Sequence, residues 1–424
     1  MKKIKVLVVP SDRTGVSYFR STNPHLALEN NYPNEFHVDV DYEPQLNNDE
    51  WLKQYDIIHY HRTLGPYELM EATNKRLKDL GIVSIMDLDD HWAPGPHHPA
   101  YILIKNAELD KKIIENLKSA QHITTTTTIF ANEISKFNKN VYVLPNAIDS
   151  TEKQFTPNLE PSNRIRIGWL GGSSHLKDLE ILKGVVGKLR GDGLMDKLQF
   201  VLCGFDIRGT HTDIDAVTKE QKQRAILPTE SVWYQYEKIF TDDYKTISPE
   251  YKDYLMKFKQ EEYPNYQNEA YRRVWTKPIS TYASNYNLFD ISLAPIEENM
   301  FNKVKSQLKV IEAGFHHKAI IAQDFGPYQI DIKNIIKYGG EVDTTGNGIL
   351  IDSKKNHKDW YASIKKLVHN PELVKTLQKN LHETVKDVYS MNTITENRRK
   401  LYLDLINKNK INESSEKQLD LETK

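Results

Sequence analysis

The sequence predicts an α/β protein made of two doubly wound, Rossmann-like domains, and three observations carry that prediction. Short apolar strands alternate with polar helical stretches twice over, and an aperiodic stretch with two prolines, STEKQFTPNLEPSNR (150–164), separates the two series. At 424 residues the chain is long for a single hydrophobic core. Hydrophobic residues at 39% and a mean hydropathy of -0.62 lie on the polar side of globular, while 23 tyrosines oppose wholesale disorder.

In the first series IKVLVVP (4–10) is strand one, followed by a loop holding Gly15 and a helix through about Leu28. FHVDVDYE (36–43) and YDIIHYHR (55–62) are strands, and a helix from about Pro66 to Leu80 ends at Gly81, which suits a left-handed cap. GIVSIMDLDD (81–90) is a strand running into an acidic turn. The β-branched HITTTTTIF (122–130) reads as a strand, and VYVLPNAID (141–149) completes the set.

The second series opens with IRIGWLGG (165–172), a strand ending in glycines, then an amphipathic helix DLEILKGVVGKL (178–189) and a strand LQFVLCGFD (198–206). The stretch from about 206 to 280 is rich in Tyr, Lys and Glu, has SPEYKDYLMKF (248–258) as its best helix, and reads as an insertion. Then come FDISLAPI (289–296), a helix from about Lys305 to Ala313, KAIIAQD (318–324) and GILI (348–351). Helices at 357–369, 371–389 and about 393–407 close the series, and 411–424 has too little apolar content to dock, so it is expected to be a disordered tail. The domains are thus expected at 1–155 and 160–390.

Charge and cysteine content narrow the function. The 57 Lys and Arg against 58 Asp and Glu remove the electrostatic case for nucleic acid as the main partner. The single cysteine, Cys203, excludes an intrachain disulfide or a thiolate-rich metal site and suits a reducing compartment. The opening MKKIKVLVVPSD is too short for a signal-peptide core or a membrane span, so a cytoplasmic location is expected. No amphipathic basic helix stands out, and a peripheral contact at the inner face of the membrane stays open.

In a doubly wound sheet ligands bind beyond the carboxyl ends of the strands, and four such places are informative. In SDRTGVSYFR (11–20) Gly15 allows close backbone approach ahead of a helix start, a phosphate-facing arrangement or simply a tight turn, since the dinucleotide fingerprint is missing; Arg13 and Arg20 add positive charge or pair with surface carboxylates. In WLGGSSHLKD (169–178) Gly171 and Gly172 bare the backbone and Ser173, His175 and Lys177 supply donors where a diphosphate can sit. In FNKVKSQLKVIEAG (301–314) Lys305, Lys309 and Glu312 fall on one helical face, with Lys305 and Ser306 at the helix start and Glu312 placed for a ribose diol. In MDLDDHW (86–92) the acidic residues and His91 invite a metal, or else cap a helix and orient histidines; His59 and His61 share one strand face, where burial competes with catalysis.

With these residues assembled, the chain resembles the GT-B glycosyltransferases, specifically their retaining, nucleotide-sugar-dependent family 4. The resemblance rests on the glycine loop after strand one, VLPNAID (143–149), IGWLGG (167–172) and KSQLKVIEAGFHHKAIIAQDFGPY (305–328), and covers about 1–408. It implies two Rossmann-like domains facing a cleft, a last helix at about 393–408 that crosses back to complete the first domain, and a nucleotide diphosphate sugar held by the second. By the same resemblance Glu312 matches the ribose-binding carboxylate, Lys305 a basic position near the phosphates, Gly171 and Gly172 the loop beneath the diphosphate, and His91, by position only, a histidine contacting the transferred sugar. The family's paired glutamate is absent, since its first position is Val304; Asn302 or backbone amides then contact the sugar. The activity implied is transfer of a sugar to a hydroxyl acceptor (a glycan, a lipid-linked glycan or a protein glycan) without a metal or other cofactor, His91 or Asp90 serving as any enzymic base. A nucleotide-sugar epimerase and an inactive binding scaffold are the alternatives.

Overall fold

The computed structural model describes residues 2–336, 341–352 and 357–422. The chain divides into two compact units, the first comprising 1–150, 299–308 and 385–424 and the second 151–298 and 309–384. Each is a six-stranded sheet with helices, and among the described residues every strand pair within the two sheets is parallel.

In the first unit the strands are β1 (Ile4–Val9), β2 (Phe36–Val40), β3 (Ile57–His61), β4 (Val83–Leu88), β5 (His122–Thr125) and β6 (Val141–Val143), in the order β2-β1-β3-β4-β5-β6. Their near-continuous apolar runs follow from burial on both faces. One face packs Leu7, Ile58, Tyr60, Met86 and Ile123 with Trp92 and Phe130, the other Val6, Val8, Ile57, Val83 and Ile85 with Tyr402 and Leu405 of the last helix. That helix runs Met391–Glu422, through the stretch expected to be a disordered tail; residues 411–422 contain no Gly or Pro and several strong helix formers, so nothing in the backbone chemistry stops it. The threonine run is also divided: the strand ends at Thr125, and Thr127 caps the helix Thr128–Ile134 by accepting from the Phe130 N–H at 3.1 Å.

In the second unit β7 (Ile165–Leu170), β8 (Leu198–Phe205), β11 (Tyr271–Trp275), β12 (Ile291–Ala294), β13 (Ala319–Gln323) and β14 (Ile349–Ile351) lie in the order β11-β8-β7-β12-β13-β14, and β9 (Thr210–Ile214) pairs with β10 (Gln221–Ala225) as a separate antiparallel hairpin. Most of the expected insertion at 206–280 therefore belongs to the fold. Its helix Val232–Thr241 buries Trp233, Tyr236 and Phe240 in the core, and β11 pairs with β8; only the exposed hairpin stands apart. The polar composition misled because charge neutralises charge inside: buried Glu237 accepts from Arg273 Nε at 2.8 Å and Nη2 at 2.7 Å, and from the Tyr244 and Tyr271 hydroxyls at 2.7 and 2.9 Å.

Two other expected helices differ in extent. The one expected at 178–189 forms as Leu176–Glu180 and Val185–Gly191, broken at Gly184 with φ of 99°, a conformation that glycine tolerates best. The one expected from Lys305 to Ala313 begins only at Leu308 and runs to Phe315, while a separate short helix, Met300–Lys303, ends ahead of Val304, which is buried in the first unit's core. Lys305 and Ser306 thus lie in a turn, off the helical face that carries Lys309 and Glu312.

Gly168 of β7 faces the ring of Phe289, and a Cβ there would fall 1.9 Å from it. Gly168→Ala is expected to lower stability by about 1–3 kcal/mol. A drop in the urea midpoint with an unchanged slope checks it.

Candidate functional site

In each sheet the strand order reverses once, between β1 and β3 in the first unit and between β7 and β12 in the second. Such a reversal opens a crevice beyond the strand ends, where doubly wound sheets bind ligands.

At the second unit's reversal point the chain leaves β7 through Gly171, Gly172, Ser173 and Ser174. A Cβ on Gly171 would fall 2.5 Å from the Trp169 ring, whereas around Gly172 the space is open. Ser173 is exposed, and Lys177 pairs with Glu180 at 2.7 Å on the surface of its short helix. His175 is held more firmly: its Nδ1 meets Asp178 Oδ2 at 2.6 Å, and its backbone N–H donates to the Tyr236 hydroxyl at 2.8 Å. The other Asp178 oxygen accepts from the backbone N–H of Glu297, just beyond β12, at 2.6 Å. One buried carboxylate thereby ties the loops after β7 and β12 together and orients an imidazole between them.

On the helix Leu308–Phe315, Lys309 donates to the Leu170 carbonyl and its ammonium lies 5.1 Å from the centre of the Trp169 ring. Glu312 is buried, and its two oxygens accept from the hydroxyls of Tyr282 and, at 3.0 Å, Tyr286. Burial pushes its carboxyl up to about 7, against the downward pull of the two tyrosines and Lys309. The acid expected to hold a ribose is thus preoccupied by tyrosines, of which Tyr282 is half-buried.

In the first unit, Gly15 opens a helical stretch after a loop closed on itself, with Asp12 accepting from the Thr14 N–H at 2.8 Å and its hydroxyl at 2.9 Å. Arg13 lies over the Tyr42 ring. Arg20 is fully buried against Asp87, so its charge is not available to a phosphate. Ser306 accepts from Asn146 Nδ2 at 3.1 Å, and Asn302 is buried with its N–H on Asn299. Lys305 lies 5.1 Å from the centre of the Phe301 ring, and its charge acts on Asp90 and His98. Asp90 is raised from its ordinary value by burial and by Asp89, against Lys305 and Arg62. His91 stacks on Trp92 at 4.2 Å and accepts from the Ala93 N–H at 3.0 Å; burial lowers it further from the charged form. Among the described residues no group of three or more His, Cys, Asp or Glu is arranged to hold a metal ion.

What sequence reasoning missed stands at the first unit's reversal point. Ser11, after β1, meets His61 Nδ1 of β3 at 2.8 Å, and His61 Nε2 meets Asp89 Oδ1, after β4, at 2.9 Å. The sequence signals were the alternation that put His59 and His61 on one face of their strand and the acidic turn at 86–92, read as able to orient histidines. Fifty residues separate Ser11 from His61.

No family model and no curated protein matches the chain. Solved structures do: HepE from Anabaena in complex with UDP (TM-score 0.59, 10% identity, 95% of this chain and 100% of that one) and a glycosyltransferase from Rickettsia africae (0.57, 14%, 96% and 99%). The sucrose-phosphate synthase of Thermosynechococcus elongatus is similar over 96% of this chain and 99% of that one, with TM-score 0.56 and 14% identity. The chain has the GT-B fold. The described residues gather donors and carboxylates at both reversal points. No helix among those residues is long and apolar enough to cross a membrane.

Proposed function

We propose that this chain transfers a glycosyl group from a nucleotide diphosphate sugar to a hydroxyl acceptor. The observation that carries this reading is the second unit's reversal point, where the bare loop after β7 and the loop after β12 are fastened by Asp178. Backbone amides there and His175 would take the diphosphate, and Glu312 the ribose once the Tyr282 hydroxyl gives way. Support comes from the shared fold, since HepE was solved with UDP and with UDP-glucose, and a starch synthase catalytic domain with ADP. The diphosphate leaves with negative charge, and a donor fixed in advance to receive it contributes about 3–4 kcal/mol to the transition state.

The anomeric configuration is proposed to be retained, and the acceptor to be a glycan, free or lipid-linked, reached without a metal ion. Thermal unfolding with UDP-glucose, UDP-N-acetylglucosamine, GDP-mannose and ADP-glucose tests the donor. One of them at 100 times its Kd is expected to stabilise the native chain by about 2.7 kcal/mol. Unchanged melting with all four sinks the reading.

A further inference from the structure

We propose that the hairpin β9–β10 is a dimerisation arm, through which two copies of this chain join by pairing the open edge of β9 with the same edge of the second copy. The inference lies wholly within the second unit and is independent of the transfer reading.

The arm is firmly built. Arg224 of β10 donates to Glu230 at its base, from Nη1 and Nη2 at 2.8 Å each, and from Nε to Asp213 of β9 at 2.7 Å. At the tip Asp215 accepts from the Val217 and Thr218 N–H groups at 2.8 and 2.7 Å. Among the described residues β9 and β10 nevertheless form a sheet of two strands only, with Thr210, His211, Thr212 and Asp213 exposed. A two-stranded hairpin is marginal in water, and an open strand edge is a template for another strand.

Register decides which edge pairs, and with what. The Asp215 N–H donates to the Glu220 carbonyl at 2.9 Å and the Ile226 N–H to the Gly209 carbonyl at 3.2 Å, and Thr212 stands opposite Gln223. By the alternation of an antiparallel ladder, the bonded positions of β9 toward β10 are then His211 and Asp213, and Thr210, Thr212 and Ile214 turn their N–H and C=O groups outward. An antiparallel pairing about a two-fold axis at Thr212 sets that residue opposite its own copy and Thr210 opposite Ile214, so every bonded pair uses outward groups. Between them, at the unbonded positions where side chains come closest, His211 meets Asp213. An imidazole offers a carboxylate an N–H whether it is charged or neutral. Moving the axis to His211 or Asp213 would set like groups face to face. The edge of β10 is closed to the same pairing, because about Gln223 it would oppose Lys222 to Arg224, two cations at closest approach. One edge of the arm is self-complementary and the other self-repelling, which favours an isologous dimer through β9.

Sedimentation of the full chain over a concentration series up to about 0.5 mM tests this, since one strand edge is a small interface. A reversible dimer is expected. Thr212→Pro removes an outward N–H and spares the ladder within the hairpin. With that bond lost on both sides of the axis, the dissociation constant should rise about 30-fold. Gln223→Pro makes the same change on the outward edge of β10 and should leave the dimer unaltered, whereas a merely disrupted hairpin would respond alike to both. His211→Asp suits Arg224 across the hairpin yet opposes two carboxylates across the axis, so it too should weaken the dimer. A chain that stays monomeric throughout, a dimer that Thr212→Pro leaves intact, an assembly that both proline variants disrupt equally, or growth beyond two copies overturns the proposal.

Discussion

Asp87→Ala is expected to remove about 3–5 kcal/mol from the stability of the first unit, the cost of leaving a buried charge without its partner. The charge left behind is Arg20. Its Nε and Nη2 donate to the two Asp87 oxygens at 2.9 and 2.7 Å, and its Nη1 donates to the Leu144 carbonyl at 2.7 Å and Asn146 Oδ1 at 3.1 Å. Both side chains are at most 1% exposed, so water cannot replace the lost contact. Thr124 also donates to Asp87, at 2.7 Å. Arg20→Ala should cost a similar amount. The double variant Arg20→Met with Asp87→Leu should be more stable than either single change, because no charge is then stranded. Urea denaturation of the three variants checks the order.

The same core gives the first unit a pH dependence. His59 lies against the His25 ring at 4.3 Å, with Asp87 Oδ2 3.8 Å away, beyond hydrogen-bond distance. Burial lowers His59 to about 4 and His25 well below its ordinary range, with the guanidinium of Arg398 adding to both effects. The unfolded chain then binds protons that the folded one refuses, so the histidine contribution is present above about pH 6.5 and is lost as pH falls toward 4. Burial alone would raise Asp87, but Arg20 and His59 outweigh it and hold the carboxyl well below its usual range. Its contribution is therefore lost only at still lower pH.

The strands were legible because a parallel sheet covered on both faces needs near-continuous apolar runs, and runs of four to eight residues such as IKVLVV and FVLCGF have few other uses. Helix limits were not. Nothing local in NKVKSQLKV distinguishes a helix that starts at Lys305 from one that starts at Leu308, since Val304 just before it joins a core built from residues far along the chain. The segment around Glu237 and Arg273 looked like surface because composition cannot reveal that two charges thirty-six residues apart will be buried together. The bare loop after β7 was legible because glycines announce themselves. Ser11, His61 and Asp89 were not found as a group, because their meeting depends on β1, β3 and β4 lying side by side, which is a property of the sheet order.

Glu312→Gln is expected to make the second unit more stable and the chain a poorer binder of nucleotide, two effects that a simply damaged fold would not combine. Burial raises the Glu312 carboxyl from 4.5 to about 7, so the folded state holds a proton that the unfolded state has released. The contribution of Glu312 to stability is greatest below about pH 4.5 and is lost as pH rises through about 7. A gap of about 2.5 pH units amounts to about 3 kcal/mol at pH 8. A glutamine of the same shape carries no charge to bury; it accepts from one tyrosine hydroxyl and donates to the other, so most of that amount should return as added stability. The proposed ribose contact moves the opposite way. A diol donates both of its protons well only to a carboxylate, and hydrogen bonds to a charged group are worth about 1.5–3 kcal/mol, so affinity for UDP, or whichever nucleotide the donor panel selects, should fall about 10- to 100-fold. Calorimetric titration at pH 8, beside thermal unfolding of the same samples, reads both quantities. Higher stability with unchanged affinity would remove Glu312 from the binding site while leaving its burial correctly described. Lower stability would show that the two tyrosines hold an ionised carboxylate that the fold requires.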